Sequence, residues 1–322
     1  MNRPTESGNV MSDAITRTLA YDGLSFSYQL LRSASPVVEP VLAIGGVLQG
    51  MHGWSIMQQH VLPHADLISM DLPGSGAATP LNPRQKMETM CRAVDVILDD
   101  LGIERVNFLG YSFGSAVAYR CAQDRPERIA RLALGGVPVQ ISDKLISLWK
   151  RGADRMRAGD PEGMVDILME MFLCPRGRSE VRNRDVVRRL VRRMTLRALT
   201  TSAHGFQTME RSVLENLDPV GGLSGVPTLV FCGEHDTISS MAEQRNFAAG
   251  LEDCRFAAIA EADHWVFLER RDEASDLVMR YFTDRPLNGL PYLVGDTAAR
   301  PAVVGATAPS PGVSVGQVAD IL

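Results

Sequence analysis

Ser112, Asp236 and His264 have the types, order and settings that acyl-group chemistry requires. A serine hydroxyl is inert near neutral pH until a neighbouring base takes its proton. An imidazole is the usual base, and a carboxylate holds its tautomer and stabilises the imidazolium. Ser112 lies in Gly110-Tyr111-Ser112-Phe113-Gly114, between a short apolar run, Arg105 to Leu109, and a helical run, Ser115 to Ala122. A sharp strand-to-helix turn with small flanking residues lifts its central side chain into the open and aims helix N–H groups at developing negative charge. His264 lies in Glu261-Ala262-Asp263-His264-Trp265, after the last apolar run, and Asp236 in Gly233-Glu234-His235-Asp236-Thr237, after the one before it. The order Ser, Asp, His is expected when all three stand at the carboxyl ends of one parallel sheet. Glu234 and Asp143 compete with Asp236 as partners for the histidine.

A tetrahedral oxyanion needs two fixed donors. The amide of Phe113, next after the nucleophile, is one; the amide of Val47, in the turn opened by Gly45-Gly46, is the other. Gly46, Tyr111 and Trp265 adjoin these groups and are expected to touch substrate. His52 and His204 are candidates for the pocket wall, whereas His60, His64 and His235 read as structural. The five cysteines are odd in number, scattered and free of Cys-x-x-Cys spacing. They fit reduced thiols in a cytoplasm, with neither a disulfide framework nor a metal site.

These residues must be held by a regular frame. Leu19 to Leu30 alternates around Asp22-Gly23, as a hairpin does. Continuous apolar runs follow at Pro40 to Ile44, Asp66 to Asp71, Ile129 to Leu134, Pro227 to Gly233 and Arg255 to Ile259, besides the one before Ser112. Helical stretches separate them. Trp54 to Leu62 is one, and the clearest puts Met87, Met90, Cys91, Val94, Ile97, Leu98 and Leu101 at three- and four-residue spacing before Gly102. Further helices are expected near Met241 to Ala249 and up to Phe282. Unbroken apolar strands between amphipathic helices imply an α/β fold with a parallel sheet covered on both faces.

Residues 14–137 and 227–284 carry that rhythm, whereas 138–226 reads as helices only, a cap inserted over the functional edge. Residues 1–13 are polar and unpatterned, and 285–322 are rich in Pro, Gly and Ala; both are expected to be flexible. Within the cap, Arg176, Arg178, Arg182, Arg184, Arg188, Arg189, Arg192, Arg193 and Arg197 are opposed by only Glu180 and Asp185, although the whole chain has a net charge of −5. That stripe, with Arg188, Arg189 and Arg192 nearest its middle, could steer an acidic carrier or the phosphates of coenzyme A. Met164, Met169, Met171, Phe172 and Met209 could line an acyl tunnel. The acidic balance argues against nucleic acid as a partner. No apolar run approaches a membrane span, and residues 1 to 6 lack the apolar core of a secretion signal.

The Gly-Gly loop, Asp71-Leu72-Pro73-Gly74-Ser75-Gly76, Gly110-Tyr111-Ser112-Phe113-Gly114, Gly233-Glu234-His235-Asp236 and Asp263-His264-Trp265 together resemble the α/β-hydrolase superfamily over about residues 20 to 283. The resemblance implies a mostly parallel sheet of about eight strands, a helical lid after the sixth, and a serine enzyme that needs no cofactor. Gly45 stands where the superfamily most often has histidine. A narrower resemblance, through Asp71-Leu72-Pro73 with Asn82-Pro83 and through Glu234 to Phe247 with Asp263 to Glu269, is to the bacterial 3-hydroxyacyl-ACP thioesterase/transacylase group. That group includes the enzyme that joins two hydroxyacyl chains into the rhamnolipid precursor. Its members typically carry Asn-Gly at the oxyanion turn and Trp after the nucleophile, where this chain has Gly45-Gly46 and Phe113. The expected substrate is a medium- or long-chain fatty acyl ester or thioester. A plain carboxylesterase or lipase, and haloperoxidase-like, lyase or ligand-receptor members of the fold, are the alternatives.

Overall fold

The computed structural model describes residues 14–295 except 83, 176, 178, 179, 203 and 215–221. The expected flexible start (1–13), the chain beyond 295, and Arg176 and Arg178 of the basic stripe lie outside the described residues.

Eight strands form one sheet in the order β1-β2-β4-β3-β5-β6-β7-β8. They are β1 (Ile15–Tyr21), β2 (Leu24–Leu31), β3 (Val41–Ile44), β4 (Leu67–Met70), β5 (Val106–Tyr111), β6 (Ile129–Gly135), β7 (Thr228–Gly233) and β8 (Cys254–Ile259). β1 and β2 form the expected hairpin around Asp22-Gly23, and β2 joins β4 antiparallel. From β3 to β8 every pairing is parallel. These inner strands are buried on both faces, which is why they read as unbroken apolar runs rather than alternating ones.

The helices are α1 (Gln58–Val61), α2 (Met87–Leu101), α3 (Phe113–Asp124), α4 (Asp143–Arg157), α5 (Pro161–Phe172), α6 (Arg184–Thr201), α7 (Gly205–Leu214), α8 (Met241–Ala249), α9 (Val266–Glu269) and α10 (Arg271–Phe282). The stretch expected as one helix from Trp54 is a 3-10 helix, Met51–Met57, running into α1. α2 ends as expected at Gly102, which takes the left-handed conformation with φ 64. One apolar layer, with Phe108, Leu42 and Val117, lies between the sheet and α2, α3 and α8. The layer on the opposite face packs Trp54, Phe231 and Leu277 beneath α10.

α4 to α7 lie between β6 and β7 and share a third core of Met164, Val165, Leu168, Val187 and Val191. Each such side chain, fully buried, contributes about 1.5–3 kcal/mol. Val47, Leu48, Ile238 and Trp265, from loops after β3, β7 and β8, pack against this cluster, so the four helices sit over the carboxyl ends of the strands. The stretch after Arg285 departs from its expected flexibility: Leu293 bridges Ile259 antiparallel, and Leu287 is 2% exposed. No helix among the described residues is long and apolar enough to cross a membrane.

Candidate active site

Ser112 occupies the turn between β5 and α3 with φ 53 and ψ −126, a conformation a side-chain-bearing residue holds at a cost of about 1–3 kcal/mol. Its neighbours show why the turn needs glycine. A Cβ on Gly110 would lie 2.5 Å from the Gly114 carbonyl oxygen, and one on Gly114 2.6 Å from that of Gly45. The amide of Ser112 donates to the Gly135 carbonyl (2.8 Å), which ties the turn to the end of β6. Phe113, as the first residue of α3, carries an N–H with no partner inside the helix.

His264 follows β8 on the loop before α9. Its Nε2 lies 2.9 Å from Ser112 Oγ, and its Nδ1 lies 3.1 and 3.0 Å from the two carboxylate oxygens of Asp236. His264 is 4% exposed and Asp236 6%, so this chain of contacts is shielded from bulk water except at Ser112. Asp236 is itself held in place: Oδ1 accepts from the amides of Ile238 (3.0 Å) and Ser239 (3.3 Å), and Oδ2 from the Gln244 side-chain amide (3.3 Å). Gln244 has no orientational freedom there, because it also donates to the Ser239 carbonyl and accepts from the Val137 amide. Burial alone would push the imidazole pKa down. The charge and hydrogen bond of Asp236, with the charge of Asp263, outweigh it and hold His264 above its ordinary value. Such a constellation can take a proton from a serine hydroxyl and return it to a leaving group. Glu234 instead accepts from the Glu261 amide (3.1 Å), and Asp143 opens α4.

Gly46 to Gln49 form a turn closed by the Gln49 amide on the Gly46 carbonyl (3.0 Å), with Val47 at its crest. A Cβ on Gly46 would come within 3.0 Å of Ser112 Cβ, so glycine lets this turn close on the hydroxyl. Ser112 and His264 open into a cavity of about 280 Å³ beneath the cap. Its walls are Val47, Leu48, Ile56 and Phe113 from the core, Met171, Phe172, Met194 and Val213 from the cap, and Trp265, Phe267 and Leu268 from the histidine loop. No Asp, Glu, Lys or Arg is among the described residues that line it.

A family model described as alpha/beta hydrolase fold matches residues 39–271, well over half of the chain. The chain belongs to that family. This α/β hydrolase is 22% identical over 263 residues to 2-hydroxy-6-oxononadienedioate/2-hydroxy-6-oxononatrienedioate hydrolase of a Pseudomonas species, covering 76% of this chain and 87% of that one. It is 25% identical over 266 residues to 2-hydroxy-6-oxo-6-phenylhexa-2,4-dienoate hydrolase of Comamonas testosteroni, covering 77% and 88%. Its fold is that of MGS-M2, an alpha/beta hydrolase enzyme from a Medee basin deep-sea metagenome library, with a TM-score of 0.70, 17% identity, and coverage of 84% of this chain and 99% of that one. The protein is accordingly an enzyme of the α/β-hydrolase fold.

Other residues of this hydrolase fall differently from expectation. Gly46, Tyr111 and Trp265 do border the cavity, but Tyr111 donates its hydroxyl hydrogen to the His264 carbonyl, and Trp265 donates its indole N–H to the Phe172 carbonyl (2.9 Å). Their polar groups therefore hold the site together rather than face the cavity. Arg188, Arg189 and Arg192 do not line the cavity. α6 buries Val187, Val191, Thr195 and Leu199 and reaches the cavity through Met194, which leaves Arg188 and Arg189 in solvent. Arg192 pairs with Glu162 and Asp166 of α5. Met171 and Phe172 line the cavity, whereas Met164, Met169 and Met209 belong to the cap core. His52 is exposed, His204 is buried, and neither borders the cavity. Sequence reasoning missed Gln244 and Glu269 as supports; a buried Gln three residues into α8 carries no local pattern.

Proposed function

We propose that the protein cleaves the ester or thioester of a medium- or long-chain fatty acid through an acyl-serine intermediate. Ser112 Oγ attacks the carbonyl while His264 Nε2 takes its proton, and Asp236 stabilises the imidazolium. The amides of Phe113 and Val47 receive the oxyanion. The alcohol or thiol leaves with the proton from His264. Water, or an acceptor hydroxyl under the cap, is then deprotonated by His264 and releases the acid or a new ester. No cofactor enters this scheme.

The observation that carries the reading is a cavity walled by apolar side chains and free of charged ones among its described lining residues, which ends on the Ser112–His264 pair. An acyl chain can leave water there without stranding a charge. The printed names of the two hydrolase relatives describe carboxylates, a dienedioate and a dienoate. Carbon–carbon cleavage of such acids is the second reading, and the lack of a lining Arg or Lys weighs against it. Among the described residues Arg188, Arg189, Arg193 and Arg197 have no acidic partner, and they lie exposed on the cap. They support delivery of the acyl group by an anionic carrier, acyl carrier protein or coenzyme A. A fluorophosphonate probe should label the native protein and not Ser112→Ala. A panel of p-nitrophenyl esters, acyl-CoAs and acyl carrier protein thioesters, with products weighed, should show turnover rising with chain length above acetyl. Labelling that persists in Ser112→Ala, or turnover of dienoates alone, would overturn the proposal.

A further inference from the structure

Three segments that are distant in the chain meet at one buried carboxylate, Asp263, which is 2% exposed. Its Oδ1 accepts from the His264 amide (2.8 Å), the Thr237 amide (3.1 Å) and the Thr237 hydroxyl (3.0 Å). Thr237 follows Asp236 directly, so one oxygen binds the two loops that present Asp236 and His264. The other oxygen, Oδ2, accepts from the amide of Cys174, two residues past α5 in the cap. More bonds join the same cap segment to the histidine loop. The Trp265 indole reaches the Phe172 carbonyl, the Asn183 side-chain amide the Glu269 carbonyl (3.0 Å), and the Arg182 amide the Glu261 carbonyl (2.9 Å). The Cys174 carbonyl in turn accepts from Arg184 at the start of α6.

This arrangement is costly for packing alone. Asp263 is buried beside Asp236 and Glu269, two more acids, and its own amide donates to Glu269 Oε2 (2.7 Å). Burial and the Asp236 charge push its carboxyl up, while the four donors pull it down. A carboxylate with four donors from three segments fits a role as a junction. We propose that Asp263 is a positioning residue that makes seating of the cap segment 172–184 and alignment of Asp236 with His264 a single event. Only the kinetic arm of its test rests on the acyl-ester reading above.

Asp263→Asn separates the two halves of the junction. With its oxygen facing Thr237 and His264, the new NH₂ must face the Cys174 N–H, donor against donor. The bond to the cap is lost and the loop bonds remain. For p-nitrophenyl decanoate, whose chain must lie under the cap, kcat/KM should fall about tenfold or more, mostly through KM; for p-nitrophenyl acetate the change should stay within about threefold. Cys174, buried in the native protein, should be alkylated by N-ethylmaleimide about tenfold faster, as mapped by mass, with Cys91, Cys121, Cys232 and Cys254 unchanged. Asp263→Ala removes the loop bonds as well and should lower kcat on both esters. Cys174 labelling at the native rate in Asp263→Asn, or equal losses on the two esters, overturns the proposal. If the native enzyme turns over neither ester, the acyl reading fails and the alkylation result still decides the role of Asp263.

Discussion

Replacing Asp236 with Asn tests the charge behind His264 while keeping the shape of the side chain. In the native site Oδ1 faces the amides of Ile238 and Ser239 and Oδ2 faces Gln244 Nε2. The Asn oxygen therefore takes the Oδ1 position, and its NH₂ points at His264 Nδ1. That nitrogen can then only accept, so the ring proton moves to Nε2, where it opposes removal of the Ser112 proton. The imidazolium formed in the transition state also loses its counter-charge. Two unit charges about 4 Å apart at an effective dielectric of ~20 interact by about 4 kcal/mol, roughly a thousandfold in rate. Steady-state hydrolysis of p-nitrophenyl hexanoate should show kcat down by about that factor with KM within about threefold, because nothing in the cavity wall changes. Because Asp236 holds the imidazole pKa up, the acid limb of the residual kcat/KM profile should move to lower pH. A kcat within tenfold of native, with an unmoved pH profile and a folded protein by circular dichroism, would refute the reasoning.

Three further outcomes follow from other parts of the molecule. Burial, with the charge of Asp263, pushes Glu269 up to about 8. The stability this raised pKa confers is complete below the ordinary carboxylate value and is lost as pH rises through about 8. Native Tm should therefore fall on raising pH from about 5 to 9 by more than that of Glu269→Gln, as read by differential scanning fluorimetry. Gly114→Ala forces a methyl to 2.6–2.7 Å from the carbonyl oxygens of Gly45 and Ile44, and urea unfolding should show a loss of about 2 kcal/mol or more. Arg189→Glu combined with Arg193→Glu and Arg197→Glu should raise KM for an acyl carrier protein thioester by about tenfold and leave a neutral p-nitrophenyl ester within about twofold. Equal effects on both would remove the carrier reading.

What could be read from the chain before folding was what depends on near neighbours. The inner strands announce themselves because burial on both faces demands unbroken apolar runs, and the Ser112 turn because its flanking glycines are fixed by contacts a few residues away. Competition among Asp236, Glu234 and Asp143 for Nδ1 of His264 was not decidable that way. It turns on how far the loops after β6 and β7 reach toward β8. The arginines of α6 misled for a related reason: composition shows a basic helix, but which face meets the cavity depends on how Val187 and Val191 dock on the other cap helices. The stretch after Arg285 looked unstructured because Pro and Gly are poor strand formers. Two backbone bonds to a strand edge, Val294 N–H to Ala258 and Ala260 N–H to Tyr292, suffice to hold it.

That short bridge also bears on how the molecule behaves in a crowd. β8 ends the sheet, and a terminal strand with free amides and carbonyls is a template for pairing with another chain. Leu293 blocks the register at Ile259, Leu287 is tucked against the layer beneath, and the Tyr292 hydroxyl is tethered to Asp276. The opposite border, β1, has no such cover and is built instead from solvent-facing residues such as Arg17, whose guanidinium reaches across to Asp100. One border is shut by a strap and the other by charge, so trimming the polypeptide just before residue 287 should leave the reaction centre intact and make the protein self-associate through β8.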